Sequence, residues 1–318
     1  MATLKYKNPA TSAWETLDAL PAIGQTVEIT ATELAGKSTA DRATMYAAGT
    51  LLLKVVNGDT EVLLGLGADG STEWLGSNKP IRNLLDNSDF ANPVNQRGAT
   101  SVTDGYSIDR WRNWAANSSS VTINNSSISV VGTLLQYVDN IKPGSVLTFA
   151  YGNESQTVIA SNWGISPENN VAYFNIETGT WTWAAVYSGA YTADTLPPYT
   201  PKGYAAELAE CQRYYQRINA SYPIMASGYT IGTNAARIAA QLQNVMRIAP
   251  TVTVDATKVG IIYNGQYLYA ESANWSTEVA KKKPIISADI TLSGAPLQGL
   301  GYPIITYLEA DIDVSADL

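Results

Sequence analysis

The chain has 318 residues, 45% hydrophobic, 15% charged and 9% aromatic, with a formal net charge of −8. That apolar content argues against wholesale disorder, and the acidic balance argues against nucleic acid and anionic membranes as partners. Histidine is absent and Cys211 is the single cysteine, which excludes His-dependent triads, His-ligated zinc and a disulfide framework.

In the first segment, residues 1–78, Ser38 or Thr39 is placed to cap a helix over 42–48, with Asp41 near its positive end and Gly49 as its stop. Residues 51–56 read as a strand, Asn57-Gly58 as a hairpin turn and 61–66 as the return. Asp69-Gly70 turns the chain again before Glu73-Trp74-Leu75. The opening MATLKYKNPA has no apolar core, so no signal peptide is expected. No run approaches the roughly 20 apolar residues that span a bilayer, so the expectation is cytoplasmic synthesis without membrane insertion.

The second segment, 82–202, opens with NSDFANPVNQRG (87–98), followed by Asp109-Arg110-Trp111. These residues are expected to form a polar latch. Phe90 and Trp111 pack below, Asn92-Pro93 turns the chain, and Asn95, Gln96 and Arg97 supply donors and acceptors. Arg97 or Arg110 would bond Asp109 and loop carbonyls. The alternative is that Asn95, Gln96 and Arg97 contact a ligand. Beyond them, short β runs alternate with turn clusters. Runs 121–123 and 128–131 flank Asn124-Asn125, Pro143-Gly144 precedes 146–150, Asn169-Asn170 precedes 171–174, and Glu177-Thr178-Gly179 precedes 180–183. This spacing predicts a β-sandwich or jelly roll.

The third segment, 203–318, opens with a helix expected from Tyr204 to about Arg217. Tyr204, Leu208, Cys211 and Tyr215 would share its inner face, with Glu207, Glu210, Arg213 and Arg217 toward water. Cys211 is then a small buried apolar residue. β-like runs follow at 250–254, 260–263, 266–269 and 303–307, with Asn264-Gly265 as a hairpin turn. The whole reads as a mainly β protein: a small α+β module, a central sandwich, one helix and a C-terminal β domain.

Sugar recognition needs flat aromatic faces with polar neighbours. Trp181 and Trp183 lie two apart on a predicted strand and so share a face. Tyr267 and Tyr269 share another, with Tyr263 across the turn and Trp275 beyond. These six are the candidate carbohydrate contacts, although a core or a subunit interface uses the same residue types. Carboxylate pairs for a glycosidase (Asp104 with Asp109, Glu168 with Glu177) are near in sequence only. No nucleophile or phosphate-loop motif is present, so neither enzyme activity nor a cofactor is expected. Asp311 and Asp313, after Glu309, alternate like an exposed strand face rather than a calcium loop, so no metal is expected either.

Three stretches, in this order, resemble phage tail fibre and receptor-binding proteins that carry a carbohydrate-binding-module-like jelly roll. The first is NLLDNSDF (83–90) with Asn95-Gln96-Arg97-Gly98 and Asp109-Arg110-Trp111; the second is LAECQRYY (208–215); the third is MRIAPTVT (246–253). The resemblance spans about 82–254. It implies a homotrimeric virion surface protein, adhering non-covalently to bacterial surface glycan. The first segment lies outside it and is expected, by position, to join other virion proteins. Adhesion is expected on the C-terminal domain from about residue 218 onward. Two alternatives stand beside this: a capsid or baseplate decoration protein that binds no glycan, and a glycan-degrading tail spike.

Overall fold

The strand Gln25–Thr30 runs parallel to Thr50–Asn57, and the crossover between them carries helices α1 (Ala31–Ala35) and α2 (Thr39–Ala47). This is a computed structural model. It describes residues 5–7, 14–16, 25–58, 60–79, 81–103, 105–113, 119–161, 163–166, 170–218, 227–263, 266–292, 303–308 and 311–316. Each helix starts in a capping box. Thr30 Oγ1 accepts the Glu33 N–H at 3.1 Å while Glu33 accepts the Thr30 N–H at 2.8 Å, and Ser38 with Asp41 repeats the pattern at 3.1 and 2.9 Å. Gly49 leaves α2 at φ 96°, a conformation that favours glycine. Strands Thr60–Leu66 and Thr72–Ser77 extend the sheet antiparallel. The Ser38 cap, the Gly49 stop and the hairpin fall where the sequence puts them. The parallel pair and α1 were not anticipated. Leu34, Leu53, Val55, Val62 and Leu64 are buried, and this core continues into Ala185, Tyr187 and Tyr191 of the second segment.

The second segment is a sandwich of two antiparallel sheets. One is ordered Trp163–Ser166, Val171–Trp181, Ile128–Val138, Ser120–Ile123, Ser101–Val102, with short strands Gly105–Tyr106 and Arg112–Asn113 alongside. The other is ordered Thr157–Ala160, Leu147–Gly152, Trp183–Ser188. Alternation along each strand sends Phe149, Tyr151, Ala184 and Val186 inward to meet Leu134, Phe174, Ile176 and Trp181 of the facing sheet. The outward residues of Trp183–Ser188, among them Ala185 and Tyr187, are covered by the first segment. That strand is therefore apolar on both faces.

Trp181 and Trp183 do not share a face, contrary to the sequence expectation. Trp181 ends a strand of one sheet and Trp183 begins a strand of the other, with a bend at Thr182. Period-two alternation holds only within a continuous strand, and the chain changes sheets here. Trp181 is a core residue, 4% exposed, edge-on to Tyr151 at 4.8 Å.

In the third segment, helix α3 spans only Tyr204–Cys211, and a strand begins at Tyr215. The expected inner face is corrected accordingly. Tyr204 is 46% exposed, whereas Glu207, assigned to water, is 2% exposed. Cys211 is fully buried, and burial holds its thiol well above the usual range. The strand Tyr215–Ile218 pairs with Ile312–Ser315, which pairs with Thr251–Thr253. The remaining strands close a six-stranded barrel, ordered Ser227–Thr230, Ala235–Gln241, Ile285–Leu292, Gln266–Ser276, Val259–Tyr263, Pro303–Leu308. Ile238, Ile261, Ile286 and Ile290 fill its interior. Among the described residues, no helix is long and apolar enough to cross a membrane.

Candidate functional site

The three stretches singled out in the sequence meet at the junction between the sandwich and the third segment. Asn87, at φ 51°, accepts the Val94 N–H at 2.7 Å and donates to the carbonyls of Val94 (2.9 Å) and Asp109 (2.7 Å). Trp111 Nε1 donates to the Asn87 carbonyl at 2.8 Å, and the fully buried rings of Phe90 and Trp111 meet edge to face at 5.2 Å. Asn95 donates to the Ala99 carbonyl at 2.6 Å. Gln96 Nε2 donates to Asp109 (2.7 Å) and to the Tyr215 carbonyl (2.8 Å). Arg97 lies 3.6 Å over the Tyr215 ring. Arg110 pairs with Asp86 at 3.0 Å, donates to the Tyr137 carbonyl at 2.6 Å and lies 3.4 Å over the Tyr214 ring.

From the other side, Arg217 donates to the Arg97 carbonyl (3.0 Å) and to Asp313 (2.8 Å), and Arg247 pairs with Asp139 at 2.8 Å. Glu207 explains why α3 turns a carboxylate inward. It accepts the N–H groups of Asn87 (2.5 Å) and Ser88 (3.3 Å) and the Ser88 hydroxyl (3.3 Å). Burial pushes the Glu207 carboxyl above its ordinary range, against the opposing effects of Lys202 and the two backbone donors. The latch residues thus point at other parts of the same chain, and their chemistry is that of a clamp between domains.

An open groove lies at one end of the sandwich, where the chain changes sheets. The Thr182 N–H donates to the Gly152 carbonyl, and the Thr182 carbonyl accepts from the Phe90 N–H, both at 2.9 Å. Gly152 lies opposite Trp183 in the register, and a Cβ there would come within 2.9 Å of the indole. The missing side chain lets the ring lie across the strand. Tyr199 stacks on Trp183 at 5.2 Å and 14°. Its hydroxyl is 3.4 Å from Ser88 Oγ, itself bonded to Glu207, so the ring pair is tied to the junction. Burial pushes the Tyr199 phenol well above its usual range.

Opposite the rings, Asn153 fixes a turn by accepting the N–H groups of Ser155 (2.8 Å) and Gln156 (3.0 Å) and donating to the Thr180 carbonyl (2.8 Å). The hollow between them holds about 590 Å³ and is lined by Asp89, Ser126, Ser127, Asn153, Glu154, Thr180, Thr182, Trp183 and Tyr199 among others. Trp183 and Tyr199 also wall a second hollow of about 440 Å³ with Ile159, Leu196, Pro197 and Pro198. Aromatic walls beside hydroxyl, amide and carboxylate groups, in volumes of this size, suit a small polyhydroxylated ligand. Of the six predicted contacts, only Trp183 lies here.

The barrel candidates divide. Tyr267 and Tyr269 are 57% and 36% exposed on the outer face. Tyr263 pairs with Gln266 and so falls on the opposite face from Tyr267, against the barrel core. Trp275 pairs with buried Ala288 and also packs inward. The expected four-ring cluster is therefore two outward and two inward, since directly paired residues share a face and their neighbours do not. The Asn264-Gly265 turn, Asp104, Glu168 and Glu309 lie outside the described residues. Among the described residues, no group of three or more His, Cys, Asp or Glu could hold a metal ion. Asp313 bonds Arg217 and Tyr215 instead.

Asp89, Asn153, Glu154 and Tyr199 were missed as groove residues. They come from three stretches far apart in the sequence, and nothing local marks them as neighbours. Compared with family models, curated proteins and solved structures, the chain shows no match.

Proposed function

We propose that the protein is a virion surface adhesin that binds bacterial surface glycan without covalent chemistry, as a homotrimer joined to other virion proteins. The observation that supports it best is the groove beside the Trp183–Tyr199 pair, whose rings face hydroxyl, amide and carboxylate groups across an open hollow. Stacking and hydrogen bonding give modest affinity per site, and three sites per trimer raise it through effective concentration. The earlier assignment of adhesion to the barrel moves to the sandwich in this reading, with Tyr267 and Tyr269 as a secondary surface.

The second reading is a decoration protein that binds no sugar. One observation favours it: the residues that carry the resemblance are spent on the junction between domains. An oligosaccharide array separates the two. Wild-type protein should bind a subset of glycans, with little change between about 50 and 300 mM salt. Thr180→Arg, which fills the groove from an exposed position, should abolish that binding while leaving the melting temperature unchanged. Binding unaffected by Thr180→Arg would remove the groove from the account, and no binding to any glycan would favour decoration. Light scattering should give three times 34.1 kDa.

A further inference from the structure

The two hollows walled by the Trp183–Tyr199 pair differ in size and in charged lining but agree in one respect. Neither contains a lysine or arginine among its lining residues. The larger hollow carries two carboxylates, Asp89 and Glu154. The smaller one has no charged residue in its lining. An acidic sugar entering here would meet like charge on one side and an uncompensated desolvation cost on the other. The formal net charge of −8 repels it further at long range.

The placement of the rings matters as well. Trp183 and Tyr199 wall both hollows, so a ligand using both must pass the ring pair. A single sugar fills one side only. In the smaller hollow Ile159, Leu196 and Pro197 offer aliphatic contact to a methyl-bearing substituent such as an N-acetyl group.

Resting on the groove reading above, we infer that the ligand is an oligosaccharide free of carboxylate and phosphate groups, at least two units long, that spans the Trp183–Tyr199 pair. Asp89 and Glu154 act as the exclusion device: they select against the acidic polymers common on cell surfaces as much as they bind.

The test uses the full chain and three probes: an N-acetylglucosamine trimer, its monomer, and a uronate-containing oligomer of the trimer's length. Titration by calorimetry should rank the trimer first, the monomer at least about tenfold weaker, and the acidic oligomer undetectable. Glu154 is exposed, so Glu154→Lys should fold normally. It should gain measurable binding to the acidic oligomer. Equal binding of the acidic oligomer by wild type, lost in Thr180→Arg, would overturn the exclusion while sparing the groove. Equal affinity for monomer and trimer would overturn the spanning geometry. Absence of binding by any of the three, together with a silent oligosaccharide array, would overturn the groove reading and this inference with it.

Discussion

The junction and the groove are made of the same kinds of residue and differ in where their polar atoms point. At the junction, Gln96, Arg110 and Arg217 reach carbonyls and carboxylates of the same chain at 2.6–3.0 Å, and Arg110 is 3% exposed. At the groove, Glu154 and Thr180 stand exposed around an open hollow, and the bonds that hold its rim are local or long: the turn at Asn153, Asp89 to the Ala91 N–H at 3.2 Å, Thr180 to the Ser129 hydroxyl at 3.2 Å and Tyr199 to Ser88 at 3.4 Å. A polar, aromatic stretch is therefore ambiguous by composition. What separates a clamp from a binding surface is whether its partners lie within the chain.

Substitutions at the two places should have opposite signatures. The largest loss of stability is expected for Arg110→Ala, which removes a buried guanidinium and leaves Asp86 with Lys202, at 3.8 Å, in place of its partner at 3.0 Å. The cost is about 3 kcal/mol in urea unfolding, with glycan affinity per folded molecule unchanged. Asp109→Ala should cost about 1–3 kcal/mol, since Gln96 Nε2 then loses an acceptor at 2.7 Å. If either variant lost binding while keeping full stability, the clamp and the site would have to exchange roles.

A smaller effect is expected at Asp313. Burial alone would raise its carboxyl, but the hydrogen bonds from Arg217 and Tyr215 outweigh burial and hold it below the ordinary range. A carboxyl depressed on folding contributes stability above its unfolded value, near pH 4, and loses it as pH falls through the lower folded value. The pair is partly exposed, so Asp313→Asn should cost about 0.5–1 kcal/mol at pH 7. The gap from wild type should narrow below about pH 4, and a gap that widened in acid would contradict the assignment. The smallest effects belong to Tyr267→Ser and Tyr269→Ser, exposed on the barrel, which should shift stability by no more than about 0.5 kcal/mol. Glycan affinity should fall by less than in Thr180→Arg. A larger fall would return adhesion to the barrel.

Local signals read well from the sequence where local physics decides. The Ser38 cap, the Gly49 stop and the hairpin at Asn57-Gly58 depend on a few adjacent residues. The capping box at Thr30 and Glu33 was equally legible and was passed over. The failures have a common cause. Tyr215 matched the helical period of Tyr204, Leu208 and Cys211, yet it begins a strand whose partner, Ile312–Ser315, lies a hundred residues away. Trp181 and Trp183 matched a strand period across a bend that no residue at Thr182 announces. Glu207 was assigned to water because its acceptors' partners, the backbone of Asn87 and Ser88, are 120 residues upstream. The contact of the first segment's apolar face with Tyr187 and Tyr191 is equally long-range and had no local signal.

The most direct test follows the indole N–H resonances while the full chain is titrated with an oligosaccharide selected on the array. The eight tryptophans include a clamp residue, Trp111, a core residue, Trp181, an inward barrel residue, Trp275, and one groove residue, Trp183. The Trp183 resonance should move with saturating ligand while those of Trp111 and Trp181 stay in place. A Trp183 resonance that stays in place at saturating ligand would put the sugar elsewhere and contradict the groove assignment.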